Sequence, residues 1–415
     1  MGIFSHISDV HLGAFNDDYL RKNNLDSFIW ALEKSREENV DFIIISGDLF
    51  NNPIPNISQV IEAITKMKEI VESGIKIYTV YGSHDYSVTG SSIYNVLVAS
   101  GIIMDVHRPR NAEGKMILEP VVDIKTGARI YGMFARKMGM ESSFYERLAA
   151  DIDSDSFNIF VFHSAIREIC EDLQFRMAEI PLSYLPPNFD YYAGGHLHRR
   201  MESEMEGYGK IVYPGVLYAS NFFDLEEMAL GVERGFYIVE FSENIEKMRF
   251  IRNDIGRPVL IDIDANGKVP DEVMSEASRI IDGLDLRDRY ILIKIHGELS
   301  SGKTSQVDRK KLKEYCMKKG ASGVNININN LTSREYRGML FKDRRAENIE
   351  RELIEKYVKQ YGGRDPSLKG EKGVNMAISL LELLKIQRNE EESREDFERR
   401  IRDGARRIIG EDGWQ

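Results

Sequence analysis

Apolar residues recur along this chain in two rhythms. Short, nearly continuous apolar runs at 3–7, 42–46, 76–81, 121–124, 129–133, 158–163, 191–193 and 210–212 predict buried strands. Between several of them the spacing changes to three or four. Leu25, Phe28, Ile29 and Leu32 share one face over 20–39, and Val60, Ile61, Ile64, Met67 and Ile70 share one over 58–73. These predict amphipathic helices, the second stopped by Gly74. Strands alternating with helices predict a layered α/β domain, in which ligands sit beyond the carboxyl ends of the strands.

Near Gly235 the pattern changes. A strand at 235–241 is followed by a smaller α+β series: strand 259–263, helix 271–282, strand 290–296, helix 307–319 and strand 324–328. Beyond Asn330 the chain is charge-dense and mostly helical, interrupted by Gly362-Gly363-Arg364-Asp365-Pro366. Ile378, Leu380, Leu381, Leu383, Leu384 and Ile386 make an apolar helix over 374–387, and Phe397, Ile401, Ile408 and Ile409 mark a last amphipathic one. The expected divisions are 1–235, 236–335 and a helical tail over 340–415. A helical tail after a flexible turn has little core of its own, so the 374–387 helix is expected to dock into a groove on a partner.

Composition narrows the class. At 415 residues with 42% apolar content the chain is long enough for two or three folded domains. Two cysteines, Cys170 and Cys316, have no metal-type spacing and suggest a reducing, cytoplasmic setting. No apolar run has signal-peptide or transmembrane character, which predicts a soluble protein with no membrane partner. The net charge of −11 argues against polyanion binding through bulk charge. Local basic clusters at His107-Arg108-Pro109-Arg110, Arg136-Lys137 and Arg199-Arg200 leave a positive face open.

The chemistry gathers at strand ends. The first strand closes with Asp9-Val10-His11, whose alternate residues point the same way. Alone, that pair reads equally as a helix-capping turn. Four further strand ends carry Gly47-Asp48, Gly82-Ser83-His84-Asp85, His163 and Gly194-Gly195-His196-Leu197-His198, so that five of the eight histidines fall at such ends. Mixed imidazole and carboxylate ligands suit Mn, Fe or Zn, and paired cations suit hydrolysis of a phosphate ester.

In this order the residues resemble the calcineurin-like metallophosphoesterases. More narrowly, Asp9-Val10-His11-Leu12-Gly13, Gly47-Asp48-Leu49-Phe50, Phe162-His163-Ser164-Ala165-Ile166 and Gly194–His198 resemble archaeal-like double-strand-break repair nucleases of the meiotic recombination eleven (SbcD) type. The resemblance implies a two-sheet layered α/β core with a small α+β capping domain that contacts DNA. It also implies C-terminal helices that dock on the coiled-coil base of an SMC/ABC-type ATPase. Asp9, His11 and His198 would take one of two Mn²⁺ ions, with Asp48 bridging to a second held by His163, His196 and Ser83. His84, held by Asp85, would protonate the leaving oxygen. The implied activity is 3′-to-5′ exonuclease and single-strand endonuclease, in a homodimer. Two positions depart from the family: Ser83 stands where Asn is usual, and Asn51 where many relatives have a catalytic His. Asn51 could donate to a phosphate but not transfer a proton.

Other readings remain open: a small-molecule phosphoesterase, or a weakly catalytic DNA-tethering subunit. Gly297-Glu298-Leu299-Ser300-Ser301-Gly302-Lys303-Thr304 fits a P-loop pattern, but reads better as a connection within the smaller module. Ile57, Ile61, Ile64, Met67, Ile93, Val96 and Leu97 offer more apolar surface than packing on a sheet requires, and are the expected dimer face.

Overall fold

Alternation explains the layers. In the strand Phe42–Ser46, Phe42 and Ile44 face one way and Ile43 and Ile45 the other, and all four are fully buried. Such a strand needs cover on both faces. In the computed structural model, Phe42 and Ile44 pack with Phe4, Tyr78, Ile130, Ile159 and Tyr191 between two sheets. Ile43 and Ile45 pack with Phe28, Leu32, Ala63 and Met67 of the helices Asp18–Glu37 and Ile57–Glu72. Each fully buried Phe or Leu here contributes about 1.5–3 kcal/mol relative to exposure. The structure describes residues 1–87, 92–112, 114–135, 141–170, 179–334, 351, 354–355, 358, 370–386 and 394–409.

The first sheet has six strands in the order Ile245–Asn253, Arg234–Phe241, Gly2–Ile7, Phe42–Ser46, Lys76–Val80 and Met104–Asp105. The second, also of six, runs Met201–Glu204, Lys210–Tyr213, Tyr191–Gly195, Asn158–His163, Arg129–Met133 and Val121–Val122. Gly2–Ile7, Phe42–Ser46 and Lys76–Val80 run parallel in the first sheet, and Arg129–Met133, Asn158–His163, Tyr191–Gly195 and Lys210–Tyr213 in the second, so within each set the carboxyl ends lie at one edge. This is the two-sheet layered α/β core that was expected.

Two points of the sequence reading need correction. The first sheet does not stop at residue 235–241: Ile245–Asn253, placed by the sequence reading in the smaller module, pairs with Arg234–Phe241 along its whole length. The helix Phe222–Leu230 was not anticipated, although Asn221 caps it and Gly231 ends it in the left-handed conformation. The P-loop pattern forms no loop at its first glycine. Gly297 lies inside the strand Tyr290–Leu299, and its amide donates to the Asn330 carbonyl.

The chain divides into two compact units, residues 1–297 with 305–331, and residues 298–304 with 332–415. Within the first unit the smaller module carries parallel strands Val259–Asp264, Tyr290–Leu299 and Gly323–Asn327, with helices Pro270–Asp282 and Arg309–Lys318. Tyr290 and Leu292 share a buried cluster with Leu20, Tyr218 and Leu225, which joins the module to the larger layers. In the second unit, helices Gly370–Lys385 and Arg394–Ile409 approach closely where Gly404 meets Leu383. Leu384 stays 70% exposed. The Arg136-Lys137 cluster and the Gly362–Pro366 turn lie outside the described residues. Among the described residues no helix is long and apolar enough to cross a membrane.

Candidate metal centre

The expected strand ends converge. Asp9, His11 and His198 bring ligand atoms within 4.8 Å of one another, and so do Asp9, Asp48 and His163, and His11, Asp48 and His84. Asp48 lies at the middle: its Oδ2 is 3.1 Å from His163 Nε2 and 3.8 Å from His11 Nε2. His11 Nε2 and His198 Nε2 face each other at 3.2 Å. His196 brings its ring to 5.2 Å from that of His163, between centroids, while its backbone amide donates to both Asp9 oxygens. Ser83 sits half-buried in the Gly82–Asp85 turn.

The backbone at this edge is unusual. Asp9, His11, Asp48 and His196 have φ of 48°, 49°, 50° and 89°. Left-handed backbone costs a residue with a side chain on the order of 1–3 kcal/mol, and Asp and His are among the few that visit it. Four such residues at one edge require that the surrounding structure over-determine them, and the sheets do so. His11 N donates to the Asp48 carbonyl at 2.9 Å, and Asp9 N to the Gly47 carbonyl at 3.3 Å.

Glycine is required where the layers meet. A Cβ on Gly195 would collide with the Ser46 carbonyl and lie 2.7 Å from His163 Nδ1. That carbonyl accepts from His163 Nδ1 at 2.8 Å, which fixes the tautomer and turns Nε2 toward the carboxylates. Below it, His6 bridges the sheets, its ring nitrogens 2.9 Å from Tyr191 Oη and 2.9 Å from Ser46 Oγ. Burial lowers the His6 imidazole to about 3 and keeps it neutral. Gly195→Ala is expected to destabilise the protein by about 1–3 kcal/mol, as overpacking does. Urea denaturation checks this, and an unchanged midpoint would show that the layers yield there.

Charge is concentrated and buried. Burial raises the Asp9 carboxyl. Burial works against the Asp48 carboxylate too, but the His163 imidazole beside it holds it well below the usual range. Burial lowers His11 and His196 to about 3. His163 goes the other way: burial opposes its charge, yet Asp48 raises it to about 10. The nitrogens His163 Nε2 and His11 Nδ1 have no hydrogen-bond partner among the described residues. His163 Nε2 faces two buried carboxylates, 3.1 Å from Asp48 and 4.0 Å from Asp9, an arrangement that a divalent cation satisfies, so the donor set fits such an ion. Loading it must displace the His163 proton. Apparent metal affinity is therefore expected to rise by roughly tenfold per pH unit below about 10 for each proton displaced. Calorimetry in buffers of different ionisation enthalpy measures the proton release, and none would contradict this.

One predicted role is corrected. Asp85 does not hold His84. It is buried and accepts from the backbone amides of Leu49, Phe50 and Gly82 at 3.2, 2.8 and 3.0 Å, so it locks the two loops together. Burial, with the charge of Asp48, raises it to about 7. The His84 ring is exposed and pairs through Nδ1 with the Asn51 carbonyl at 3.0 Å, while its amide donates to Asp48 Oδ1 at 2.7 Å. Asn51 thus meets the site through its main chain.

Sequence reasoning missed Asp224, whose oxygens lie 3.1 and 3.0 Å from His198 Nδ1. The Asn221 cap and terminal Gly231 were the available signal for its helix.

Among known proteins, residues 4–200 match the family described as calcineurin-like phosphoesterase. The match covers just under half of the chain. Together with the donor set at these strand ends, that match indicates a metal-dependent phosphoesterase. Over the longer chain, the DNA double-strand break repair protein Mre11 of Archaeoglobus fulgidus is 25% identical over 403 residues, covering 94% of this chain and 82% of that one. The protein of the same description from Sulfolobus acidocaldarius is 24% identical, covering 88% and 92%. That from Sulfurisphaera tokodaii is 28% identical, covering 63% and 65%, so the match spans just under two thirds of that relative.

Proposed function

We propose that this chain is a manganese-dependent DNA nuclease that processes the ends of double-strand breaks, as a 3′-to-5′ exonuclease and single-strand endonuclease. The observation that carries it is the position of Asp48 between His11 and His163, with the exposed His84 beside it. In this reading Asp9, His11 and His198 hold one ion, and His163, His196 and Ser83 the other, with Asp48 shared. Bound there, the two ions supply Lewis acidity and the nucleophile.

The protein's own groups do the rest. Asp48, fixed by the His84 amide, keeps the two halves in register. Asp85 ties the Gly47–Phe50 loop to the Gly82–Asp85 turn, so His84 is presented at a constant height. With Nδ1 donating to the Asn51 carbonyl, Nε2 of His84 is the ring nitrogen left to carry a proton to the leaving oxygen.

DNA as substrate is supported by relatives described as DNA double-strand break repair proteins, which match 94% and 88% of this chain. Arg110, Arg199 and Arg200 are already paired with Glu119, Glu227 and Glu233, so these clusters add less positive field than their sequence suggested. Part of the expected dimer face is internal: Met67 and Leu97 are buried in the core. Ile61 and Val96 remain 60% and 57% exposed, joined by Ile54 at 78%, and these support a homodimer. The half-buried Leu380, Leu381 and Leu383 and the exposed Leu384 support docking of the tail on an SMC/ABC-type coiled-coil ATPase. Two free, buried cysteines agree with work in the cytoplasm.

The test is Mn-dependent digestion of single- and double-stranded DNA beside bis(p-nitrophenyl) phosphate. The proposal expects both DNA forms to be shortened. Hydrolysis of the small diester alone would leave a small-molecule phosphoesterase. Binding of DNA without cleavage would leave a tethering subunit, for which Ser83 in place of the usual Asn would be the first suspect.

A further inference from the structure

A chain of buried charge runs behind His198. Asp224 and Glu227 on the helix Phe222–Leu230, and Arg234 at the start of the next strand, are all buried, Arg234 to 2% exposure. Asp224 pairs with His198 Nδ1 and is itself held by Ser220 N, Ser220 Oγ and Asn221 Nδ2 at 2.9, 2.9 and 3.0 Å. Glu227 accepts from Arg199 Nε at 2.6 Å and from Arg234 Nη2 at 2.9 Å.

Arg234 Nη1 and Nη2 have further acceptors, while Nε has none among the described residues. Nη1 donates to the His198 carbonyl at 2.7 Å, and Nη2 also reaches the Asp224 carbonyl at 3.1 Å. One guanidinium therefore grips the main chain of both residues whose side chains meet. A buried ion pair is often no more stabilising than apolar packing of the same volume, so stability alone is a weak reason for an arginine here. A planar fork of donors is suited to holding two carbonyls at a set separation.

We propose that Arg234 is a positioning residue: it fixes the His198 and Asp224 backbones so that Asp224 holds the His198 ring with Nε2 toward His11 and Asp9, where the first ion binds. This rests on His198 being a ligand, and not on DNA being the substrate. Glu227 keeps the guanidinium paired and in plane, and Arg199 closes the chain at the surface. Loss of an outer partner of a metal-ligating histidine typically costs 10–100-fold in metal affinity.

The experiment is Mn²⁺ titration of the full chain by calorimetry, without DNA, for wild type, Arg234→Gln, Arg234→Lys and Asp224→Asn. Arg234→Gln is expected to weaken one class of site by about 10–100-fold and leave the other unchanged. Arg234→Lys is expected to recover part of the loss, because one carbonyl stays within reach. In a His198→Gln background, Arg234→Gln is expected to change Mn affinity by less than about twofold, since the coupled partner is gone. Where melting shows that Arg234→Gln does not fold, Asp224→Asn replaces it in the same cycle. Equal weakening of both sites, an undiminished effect with His198→Gln, or no Mn binding by wild type would each overturn the proposal. Mn binding that follows the expected pattern without any DNA cleavage would sustain it while removing the nuclease reading.

Discussion

Asp48→Asn is expected to lower phosphoester hydrolysis by about three orders of magnitude while leaving the chain folded. The Asp48 carboxylate lies 3.8 Å from His11 Nε2 and 3.1 Å from His163 Nε2, nearer to both than Asp9 at 3.9 and 4.0 Å, so in the proposed centre its charge bears on both halves. Removing several kcal/mol of charge stabilisation, about 4, corresponds to about 10³ in rate. The fold should tolerate the change. Asn accepts the left-handed backbone that Asp48 adopts at φ 50°, and its carbonyl oxygen can still receive the His84 amide. What is lost is the negative oxygen beside His163, and with it the charge that raises that imidazole. Steady-state hydrolysis and thermal melting check this together. A loss below tenfold with an intact melting transition would show that Asp48 is not shared.

His84→Gln is expected to lower kcat by about 10²–10⁴-fold with Mn²⁺ affinity unchanged, the signature of a lost proton donor. Glutamine can keep a hydrogen bond to the Asn51 carbonyl but cannot pass on a proton. The backbone bond from residue 84 to Asp48 does not depend on the side chain. The geometry also allows another outcome. A His84 ring nitrogen lies within 4.8 Å of those of His11 and of an Asp48 oxygen. If Mn²⁺ affinity falls in step with kcat, His84 is a ligand and the leaving oxygen takes its proton elsewhere.

The ligand-type residues were legible because each follows a run of apolar residues that must be a buried strand, and parallel strands share an edge. The strands Phe42–Ser46, Arg129–Met133 and Asn158–His163 begin and end where their apolar runs do. Ile245–Asn253 escaped notice for the opposite reason. It is an edge strand, and edge strands carry charge that hides the apolar pattern; here Glu246, Lys247 and Arg252 are exposed along it. Asp224 was hidden by distance, since nothing links it to His198 until the chain has folded. Asp85 was misread from adjacency, because neighbours in a tight turn point to different places. The left-handed backbone at Asp9, His11, Asp48 and His196 leaves no mark in the sequence, whereas Gly82 and Gly195 could be read as places of close approach.

The central claim is that these strand ends hold two neighbouring cations bridged by Asp48. Electron paramagnetic resonance of the Mn-loaded chain tests it most directly, together with the bound stoichiometry. Two ions per chain, roughly 3.5–4 Å apart, should show spin coupling in the wild type that disappears in Asp48→Asn. A single, magnetically isolated ion per wild-type chain at saturating Mn²⁺ would contradict the account.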